Sequence, residues 1–360
     1  MKGKLIGILI LVAIAAAALI YQFVLRDGAG AGKGGVLNRE TVTITGYIGS
    51  EKSGFLDDEE VKDLLKGRYG ISVDYHKAGS IEMIDLPKEG MDFLWPSSQV
   101  ALELYKLRGG QSVKSDTIFS SPIVLYSWQE VAEALEVEGL VTVRGTGQAE
   151  IDAGALIGKV LEGAPWESIG LTNLYGDIII TSTDPTRSNS GNLWAGLVAN
   201  LLYGEVVDEA RLPEVLEDVK RVFTIQGYME HSTGTLFEQY ITKGIGPYPV
   251  VVGYENQMVE FGLQNPDVWD AVKDYMRVIY PMPTVYSEHP LIALNENGKQ
   301  LLEALQDPDV KDLAWRRHGF RTGIENDPAE LGIEGMPRRV TQIIRMPVPA
   351  VMDTIINELQ

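Results

Sequence analysis

The chain has 360 residues, of which 50 are acidic and 31 basic, giving a formal net charge of −19, and it contains no cysteine. Because affinity for a phosphate backbone comes from clustered lysine and arginine, this charge argues against a nucleic-acid partner. The lack of cysteine excludes disulfides, thiolate metal sites, a cysteine nucleophile and a lipid-modified cysteine. At roughly 100–200 residues per domain, the length indicates about two domains.

The N-terminus combines a basic start with a long apolar run. Two lysines lie among the first four residues, and residues 5–24 contain Gln22 as their only amide or charged side chain. Twenty residues at a rise of about 1.5 Å span a hydrocarbon core of roughly 30 Å. The same pattern is typical of an export signal. We predict an uncleaved signal anchor or a cleaved signal peptide in residues 1–25, a flexible tether over 26–39, and the remainder outside the cytoplasm.

The rest of the chain alternates strand and helix patterns, and its end is predicted to be mostly helical from Lys299 onward. This alternation favours an α/β fold with a largely parallel sheet. The predicted strands begin near Glu40, Gly70, Asp92, Ser120, Ile178, Arg221 and Pro249, and the predicted helices begin near Asp57, Ser97 or Ser98, Ser190 and Thr233.

The segment 181–200, TSTDPTRSNSGNLWAGLVAN, brings a loop rich in hydroxyl and amide groups to a predicted helix N-terminus. The free N–H groups and the dipole of such a terminus attract anions. Arg187 adds a planar charged donor that suits a carboxylate or an oxyanion, and Gly191 permits close backbone approach. Ordinary capping of the helix, with Arg187 paired to Asp184, is the alternative interpretation.

Three other strand-to-helix loops have the same design, at residues 49–54, 95–99 and 228–235. For each of these loops taken alone, ordinary capping is the better explanation. Ligands of open α/β sheets bind outside the carboxyl ends of the strands, however. The recurrence of polar loops at these ends therefore indicates one shared binding cleft.

Motifs typical of enzymes and metal sites are missing from the sequence. The four histidines, His76, His231, His289 and His318, form no metal pair at helical spacing, and neither a nucleophile elbow nor a phosphate-binding loop occurs. We therefore predict a protein that is not an enzyme and that has no cofactor and no metal. A paired-carboxylate hydrolase is the less favoured alternative, because acidic residues are plentiful.

Four segments resemble one protein family. The run Arg187-Ser-Asn-Ser-Gly-Asn192 resembles the Arg-x-x-Ser-Gly pattern of the oxyanion-binding members of the two-lobed, type II periplasmic solute-binding proteins. SSPIVLYSW and PYPVVVGYE resemble their two inter-lobe strands, and LAWRRHGFRTG resembles their C-terminal helix with its Gly-Phe-Arg element. The resemblance spans residues 40–325. It departs from the pattern at Asn192, where oxyanion members often have threonine, and at Glu51, whose charge opposes a dianion.

The resemblance implies two Rossmann-like α/β lobes joined by two crossing strands, with lobe one formed by residues 40–123 plus 253–360 and lobe two by residues 124–252. It implies an extracytoplasmic, monomeric binding protein that captures a small anionic solute, with oxyanions among the candidates, between lobes that close by hinge bending. An ABC transporter permease would receive the solute. The alternative is a membrane-tethered ligand receptor or assembly component without a role in transport.

The candidate ligand contacts come from these loops and from the start and end of the crossing strands. Arg187 is the leading candidate, whereas Trp95 and Trp194 are expected in the core because their neighbours are apolar. The full set is Ser50, Glu51, Ser98, Ser121, Arg187, Ser188, Asn189, Ser190, Gly191, Tyr228, His231, Ser232 and Tyr254.

Overall fold

The structure, a computed structural model, describes residues 41–145, 147–323 and 327–360. The predicted signal segment and tether lie outside these residues. Within the described ranges, no helix is both long and apolar enough to cross a membrane.

The described residues form strands and helices that alternate through most of the chain. The strands are β1 Val42–Ile48, β2 Ile71–Lys77, β3 Phe93–Trp95, β4 Lys114–Trp128, β5 Val141–Arg144, β6 Gln148–Ile151, β7 Val250–Tyr254, β8 Met276–Pro281 and β9 Tyr286–Ala293. The helices are α1 Ser53–Asp57, α2 Glu59–Leu64, α3 Glu82–Asp85, α4 Gln99–Leu107, α5 Gln129–Val137, α6 Ala153–Glu162, α7 Asn189–Tyr203, α8 Leu212–Thr224, α9 Thr233–Lys243, α10 Glu255–Gln264, α11 Pro266–Val272, α12 Glu296–Leu305, α13 Pro308–His318 and α14 Pro349–Glu358. Short 3-10 turns lie at Ser50–Lys52, Trp166–Ile169 and Pro328–Leu331, and a π-helical turn lies at Leu65–Tyr69.

The strands form two sheets that share β4. The first sheet has the order β2-β1-β3-β9-β4, and in the second sheet β4 pairs with both β7 and β8, followed by β6 and β5. Residues 114–122 of β4 pair with β9, and residues 123–128 pair with β7 or β8. The chain therefore crosses from the first sheet to the second along β4, and the antiparallel strand β7 runs back.

The expectation of a largely parallel sheet is wrong. Between the described strands, only β1–β2, β1–β3 and β6–β8 are parallel, whereas the other five pairings are antiparallel. The reason is that four of the five antiparallel pairings involve β4 or β9, which lie in the region where the chain passes between the sheets.

The predicted strand at Arg221 is also wrong, because that residue lies in α8. Val215, Val219 and Val222 of this helix are buried at a spacing of three to four residues, which is a helical period. The end of the chain is helical only in part, since residues 319–323 and 327–348 are mostly irregular apart from one short 3-10 turn. The predicted strand at Ile178 is an extended segment in which Thr181 forms a single bridge to Val251.

Apolar side chains fill the core on both sheets. Trp95 and Trp194 are fully buried, as expected. The C-terminal helix α14 packs on α7 and α8 beside the second sheet and on α4 beside the first. Val351, Met352 and Ile355 of α14 belong to the core cluster that contains the α4 and α7 side chains.

An ion pair fixes the end of β7. Arg321, from the Gly-Phe-Arg element, donates to both carboxylate oxygens of Glu255 at 2.7 and 2.8 Å. Tyr280 donates to the same carboxylate at 2.7 Å. Glu255 is 1% exposed, so three buried groups from separate elements meet where the crossing strand turns into α10.

Candidate ligand-binding cleft

A cavity of about 330 Å³ lies between the loops that follow β1, β2 and β3 and the N-termini of α7 and α9. Seven predicted residues line it, namely Ser50, Glu51, Arg187, Ser188, Asn189, His231 and Ser232. A second cavity of about 340 Å³ lies beside α5, α11 and β8, and none of the predicted residues lines it.

Glu51 stands in the wall of this cavity as a buried, ionised acid. Its carboxylate accepts from Lys52 and Ser97, and Lys52 Nζ also donates to Ser97 Oγ at 2.6 Å. Burial raises the pKa of Glu51, but the charge of Lys52 and the hydrogen bonds from Lys52 and Ser97 outweigh it, so the net pKa lies below its usual range. The charge of Glu51 is therefore balanced by Lys52 before any ligand arrives.

His289 lies behind Glu51 and does not add a charge. Its Nδ1 is 3.6 Å from Glu51 Oε1, and its Nε2 is 3.0 Å from Ser287 Oγ. Burial and the nearby charge of Lys52 lower the pKa of His289 well below its usual range, so the ring is neutral. Ser287 Oγ donates to the Ser97 carbonyl at 2.7 Å, which fixes the loop that follows β3.

The N-terminus of α7 forms the opposite wall. Asn189 Nδ2 donates to the Ser97 carbonyl at 2.7 Å and to the Tyr254 hydroxyl at 3.0 Å, which joins the two walls. Asn189 Oδ1 is buried, and none of the described residues pairs with it. The first N–H groups of a helix have no partner within the helix. In α7 the Gly191 N–H donates instead to Thr183 Oγ1 at 2.9 Å, which leaves the N–H groups of Asn189 and Ser190 as the donors of this terminus.

The N-terminus of α9 approaches the same cavity. Ser232 caps α9 by accepting from the Thr235 N–H, and its Oγ lies 3.3 Å from Ser50 Oγ in the loop that follows β1. The Thr233 hydroxyl lies 3.1 Å from Ser188 Oγ. Two helix N-termini and a row of hydroxyls therefore converge on one cavity, an arrangement that favours an anion.

Arg187 supplies an unpaired positive charge in the wall. Its side chain is exposed, and within the described part of the chain it forms no ion pair or side-chain hydrogen bond. Asp184 instead accepts from Thr186 and lies 3.9 Å from His231, so the alternative Arg187–Asp184 pair is not formed. A Cβ at Gly79 would lie 2.2 Å from the Arg187 carbonyl oxygen, which shows how closely the two walls approach.

Four predicted residues lie behind the walls. Ser98 is the buried N-cap of α4 and accepts from the Val100 N–H at 3.1 Å. The Ser121 hydroxyl accepts from the Asn256 N–H at 3.1 Å. Ser190 is fully buried, with its Oγ 2.7 Å from Thr233 Oγ1. A Cβ at Gly191 would lie 2.2 Å from the Thr183 carbonyl oxygen, so this position needs glycine for packing.

The two predicted tyrosines do not line the cavity either. Tyr254 is fully buried, and burial raises the pKa of its hydroxyl. Tyr228 is 77% exposed, and its ring contacts that of His231.

Several residues of the cavity wall were not among the predicted contacts. They end or follow β1, β2 and β3, or begin α9. They are Gly49, Lys77, Ala78, Gly79, Ser80, Glu82, Ser97 and Thr233.

The described residues contain no group of three histidine, aspartate or glutamate side chains that is arranged to hold a metal ion. The polar groups of the cavity are mainly hydrogen-bond donors, and this donor set suits an anionic ligand better than a cation.

Neither a protein-family model nor a curated protein sequence matches the chain. Solved structures match over most of its length. The periplasmic thiamin binding protein is 10% identical with a TM-score of 0.57, and the match covers 91% of this chain and 98% of that one. Iron-bound HitA from Pseudomonas aeruginosa is 11% identical with a TM-score of 0.55, covering 88% and 99%. AfuA from Actinobacillus pleuropneumoniae is 12% identical with a TM-score of 0.55, covering 88% and 97%.

The chain has the type II periplasmic binding protein fold. The predicted fold class, two α/β lobes joined by crossing strands, is confirmed by this likeness together with the two sheets that share β4.

Proposed function

We propose that the chain is an extracytoplasmic solute-binding protein that captures a small anionic solute in this cavity and delivers it to an ABC transporter. One observation carries the proposal. The cavity wall holds Arg187 without a partner among the described residues, beside the N-termini of α7 and α9, while the acid Glu51 is already paired with Lys52. An anion would complete the charge balance of such a site.

The proposed site works by short-range contacts. The chain carries a net charge of −19, so its overall field repels an anion at low salt. Salt screens this repulsion over a Debye length of about 8–10 Å, whereas hydrogen bonds within the cavity are hardly screened. Arg187, the N-termini of α7 and α9, and the hydroxyls around them would therefore hold the anion against the net charge.

Closure of the two lobes would couple to binding. Under this proposal, residues 40–123 plus most of 253–360 form one lobe, and residues 124–252 form the other together with β8, which pairs with β4 and β6 in the second sheet. The two lobes move about β4 and β7. The contacts Asn189 to Ser97 and Ser50 to Ser232 join the two walls. A ligand that touches both walls would favour the closed arrangement by its differential affinity for the two states.

The structural neighbours support a function in solute binding for transport, and their ligands differ from one another. They are described as binding thiamin, iron or fructose 6-phosphate, and another is the substrate binding protein of an ABC transporter from Agrobacterium tumefaciens. These are binding proteins and not enzymes, in keeping with a chain that is not an enzyme. Residues 1–25 would carry the protein across the membrane, as an anchor or as a cleaved signal.

The test is ligand binding by Arg187→Ala. We expect a panel of phosphate, sulfate, molybdate, tungstate, carboxylates and phosphate monoesters to contain at least one anion that raises the melting temperature of the wild type. Arg187→Ala should weaken that binding by at least about 1.5 kcal/mol, or roughly tenfold, because a charged hydrogen bond is lost.

The matched control is Arg211→Ala. Arg211 is 55% exposed, pairs with Glu214 and lies away from the cavity, so its removal should leave affinity unchanged. A wild type that responds to none of the anions, or an Arg187→Ala variant that binds as tightly as the wild type, would overturn the proposal.

A further inference from the structure

We propose that the solute is a hydroxylated organic anion, with a phosphate or carboxylate group at one end and several hydroxyls along the rest, and that a bare tetrahedral oxyanion does not fill the site. This inference rests on the proposed function and specifies its substrate class. Three features of the cavity carry it, namely its size, its polar lining and an acceptor that lacks a donor.

The cavity is too large for an inorganic oxyanion alone. Its volume is about 330 Å³. Cavities of roughly 300–1,000 Å³ hold organic ligands. A five-atom oxyanion seated at Arg187 would leave most of this space empty.

Most of the lining side chains carry a polar group. Ala78 is the only apolar side chain larger than glycine among the described lining residues, and His231 is their only ring. Cavities that hold aromatic or apolar ligands are lined predominantly by hydrophobic and aromatic side chains. A ligand here meets polar groups set among small side chains, which favours a chain or ring of hydroxylated carbons.

The walls also contain acceptors that a bare oxyanion cannot satisfy. Asn189 is 7% exposed, and its Oδ1 has no partner among the described residues. The orientation of this amide is fixed, because its Nδ2 faces the Ser97 carbonyl, which can only accept. A buried acceptor without a donor costs free energy, and a ligand hydroxyl would remove that cost.

Two carboxylates add further hydrogen-bond acceptors to the cavity wall. Glu82 lines the rim, and one of its oxygens accepts from the Gly79 N–H at 3.1 Å. Glu51 lines the wall beside Ser97. Lys52 already balances the charge of Glu51, but Glu82 repels sulfate, and carboxylates accept hydrogen bonds from hydroxyls. The acidic group of the ligand would then face Arg187 and Ser232, and its hydroxyls would face Asn189 and the two glutamates.

The experiment is isothermal titration of the full chain with four phosphates and sulfates of graded chemistry. Glucose 6-phosphate carries both parts of the inferred ligand, phenyl phosphate has similar size without hydroxyls, and inorganic phosphate and sulfate lack the organic part. We expect glucose 6-phosphate to bind at least tenfold more tightly than each of the other three. D-Gluconate serves as the carboxylate counterpart, and uncharged glucose should not bind.

Variants test which residues bind the acidic end of the ligand and which bind its hydroxyls. Arg187→Ala should lower the affinity for all the phosphates by a similar factor. Glu82→Gln, at an exposed position, should lower the affinity for glucose 6-phosphate at least threefold and leave inorganic phosphate unaffected or slightly improved. Glu214→Gln, on α8 and outside the cavity, is the matched control and should change neither affinity.

The outcomes separate the two proposals. If phosphate, sulfate or phenyl phosphate binds as tightly as glucose 6-phosphate and gluconate, the inference fails while the proposed anion-binding function stands. An equal loss of affinity for all the phosphates in Glu82→Gln would also contradict the inference. If none of the anions binds, both proposals fail.

Discussion

At the scale of single residues, Glu51 and Lys52 show how an acid can stand in the wall of an anion site. Both side chains are buried and in contact, at 4% and 0% side-chain exposure. Removing two charges from water is costly, and their attraction offsets this only when hydrogen bonds satisfy the remaining groups. Ser97 supplies such a bond to each partner, so the pair forms a neutral, hydrogen-bonded unit.

We expect Lys52→Met to lower the free energy of unfolding by about 3–5 kcal/mol, because it leaves Glu51 buried without its counter-charge. The same change should raise the pKa of Glu51 and weaken anion binding. Urea unfolding and titration of the folded variant measure these effects. Lys62→Met is the control, since Lys62 and Glu59 form an exposed pair and should have little effect. A Lys52→Met variant as stable as the control would contradict this view of the pair.

At the scale of elements, the sequence predicted loops with a local signature and missed loops without one. Arg187, Ser188 and Asn189 are consecutive and precede an apolar helix, so they could be recognised from the chain alone. Lys77 and Glu82 flank a short loop without a hydroxyl-rich run, and they reach the cavity because β2 ends beside β1. Their contribution depends on strand pairing between distant segments, which a local pattern does not contain.

Neighbouring serines illustrate the same limit. Ser97 and Ser98 both follow β3, and either one fits the pattern of a helix cap. Ser98 caps α4 and faces its own helix, whereas Ser97 faces the cavity. Ser98 caps the helix because its backbone is extended at the N-cap position. Ser97 faces the cavity because Glu51 and Lys52, in another loop, bind its side chain. The alternation of strand and helix, in contrast, is a local property and was predicted well.

His318 links three helices and should make stability depend on pH. Its ring lies between Glu260 on α10, at 2.6 Å, and Asp58 at the start of α2, at 3.4 Å, and it ends α13. Burial lowers the pKa of His318, but its hydrogen bonds and charge interactions with Asp58 and Glu260 outweigh burial and raise the pKa above 6.5. Charged His318 therefore stabilises the fold fully below about pH 6.5, and this contribution is lost as pH rises through the raised pKa.

We expect the free energy of unfolding to fall as the pH is raised from about 6.5 through this raised pKa, and His318→Gln to flatten that fall while lowering stability at pH 6. Denaturant unfolding across the pH range measures both quantities. His76→Gln is the control, because His76 is exposed on β2 and should leave the pH profile unchanged. An unchanged profile in His318→Gln would show that another group titrates.

At the scale of the whole molecule, α14 connects the two halves of the fold. It packs on α7 and α8, and its Asp353 lies 3.6 Å from Arg108 at the end of α4. Met352 touches Gly196 of α7, seven residues or roughly 10 Å along the helix from Asn189 at the cavity. The helix therefore braces α4 and α7 behind the site, at a distance from any ligand.

We expect Ile355→Ala to lower the free energy of unfolding by about 2–5 kcal/mol, since a fully buried side chain is replaced by a cavity between helices. Thr354→Ala, at an exposed position on the same helix, should have little effect. Thermal and denaturant unfolding of both variants provide the comparison. Equal stability of the two would mean that α14 does not contribute to the shared core.

The position of α14 also sets an order for folding. The final helix of this sequence supplies Val351, Met352 and Ile355 to a core whose other members begin at Met83. Such contacts between distant segments form slowly, because the long loops between them must close first. A chain still lacking these residues would expose the apolar side of α7, and such surfaces promote aggregation. The native cavity walls would therefore reach their final alignment only after the C-terminal helix has docked.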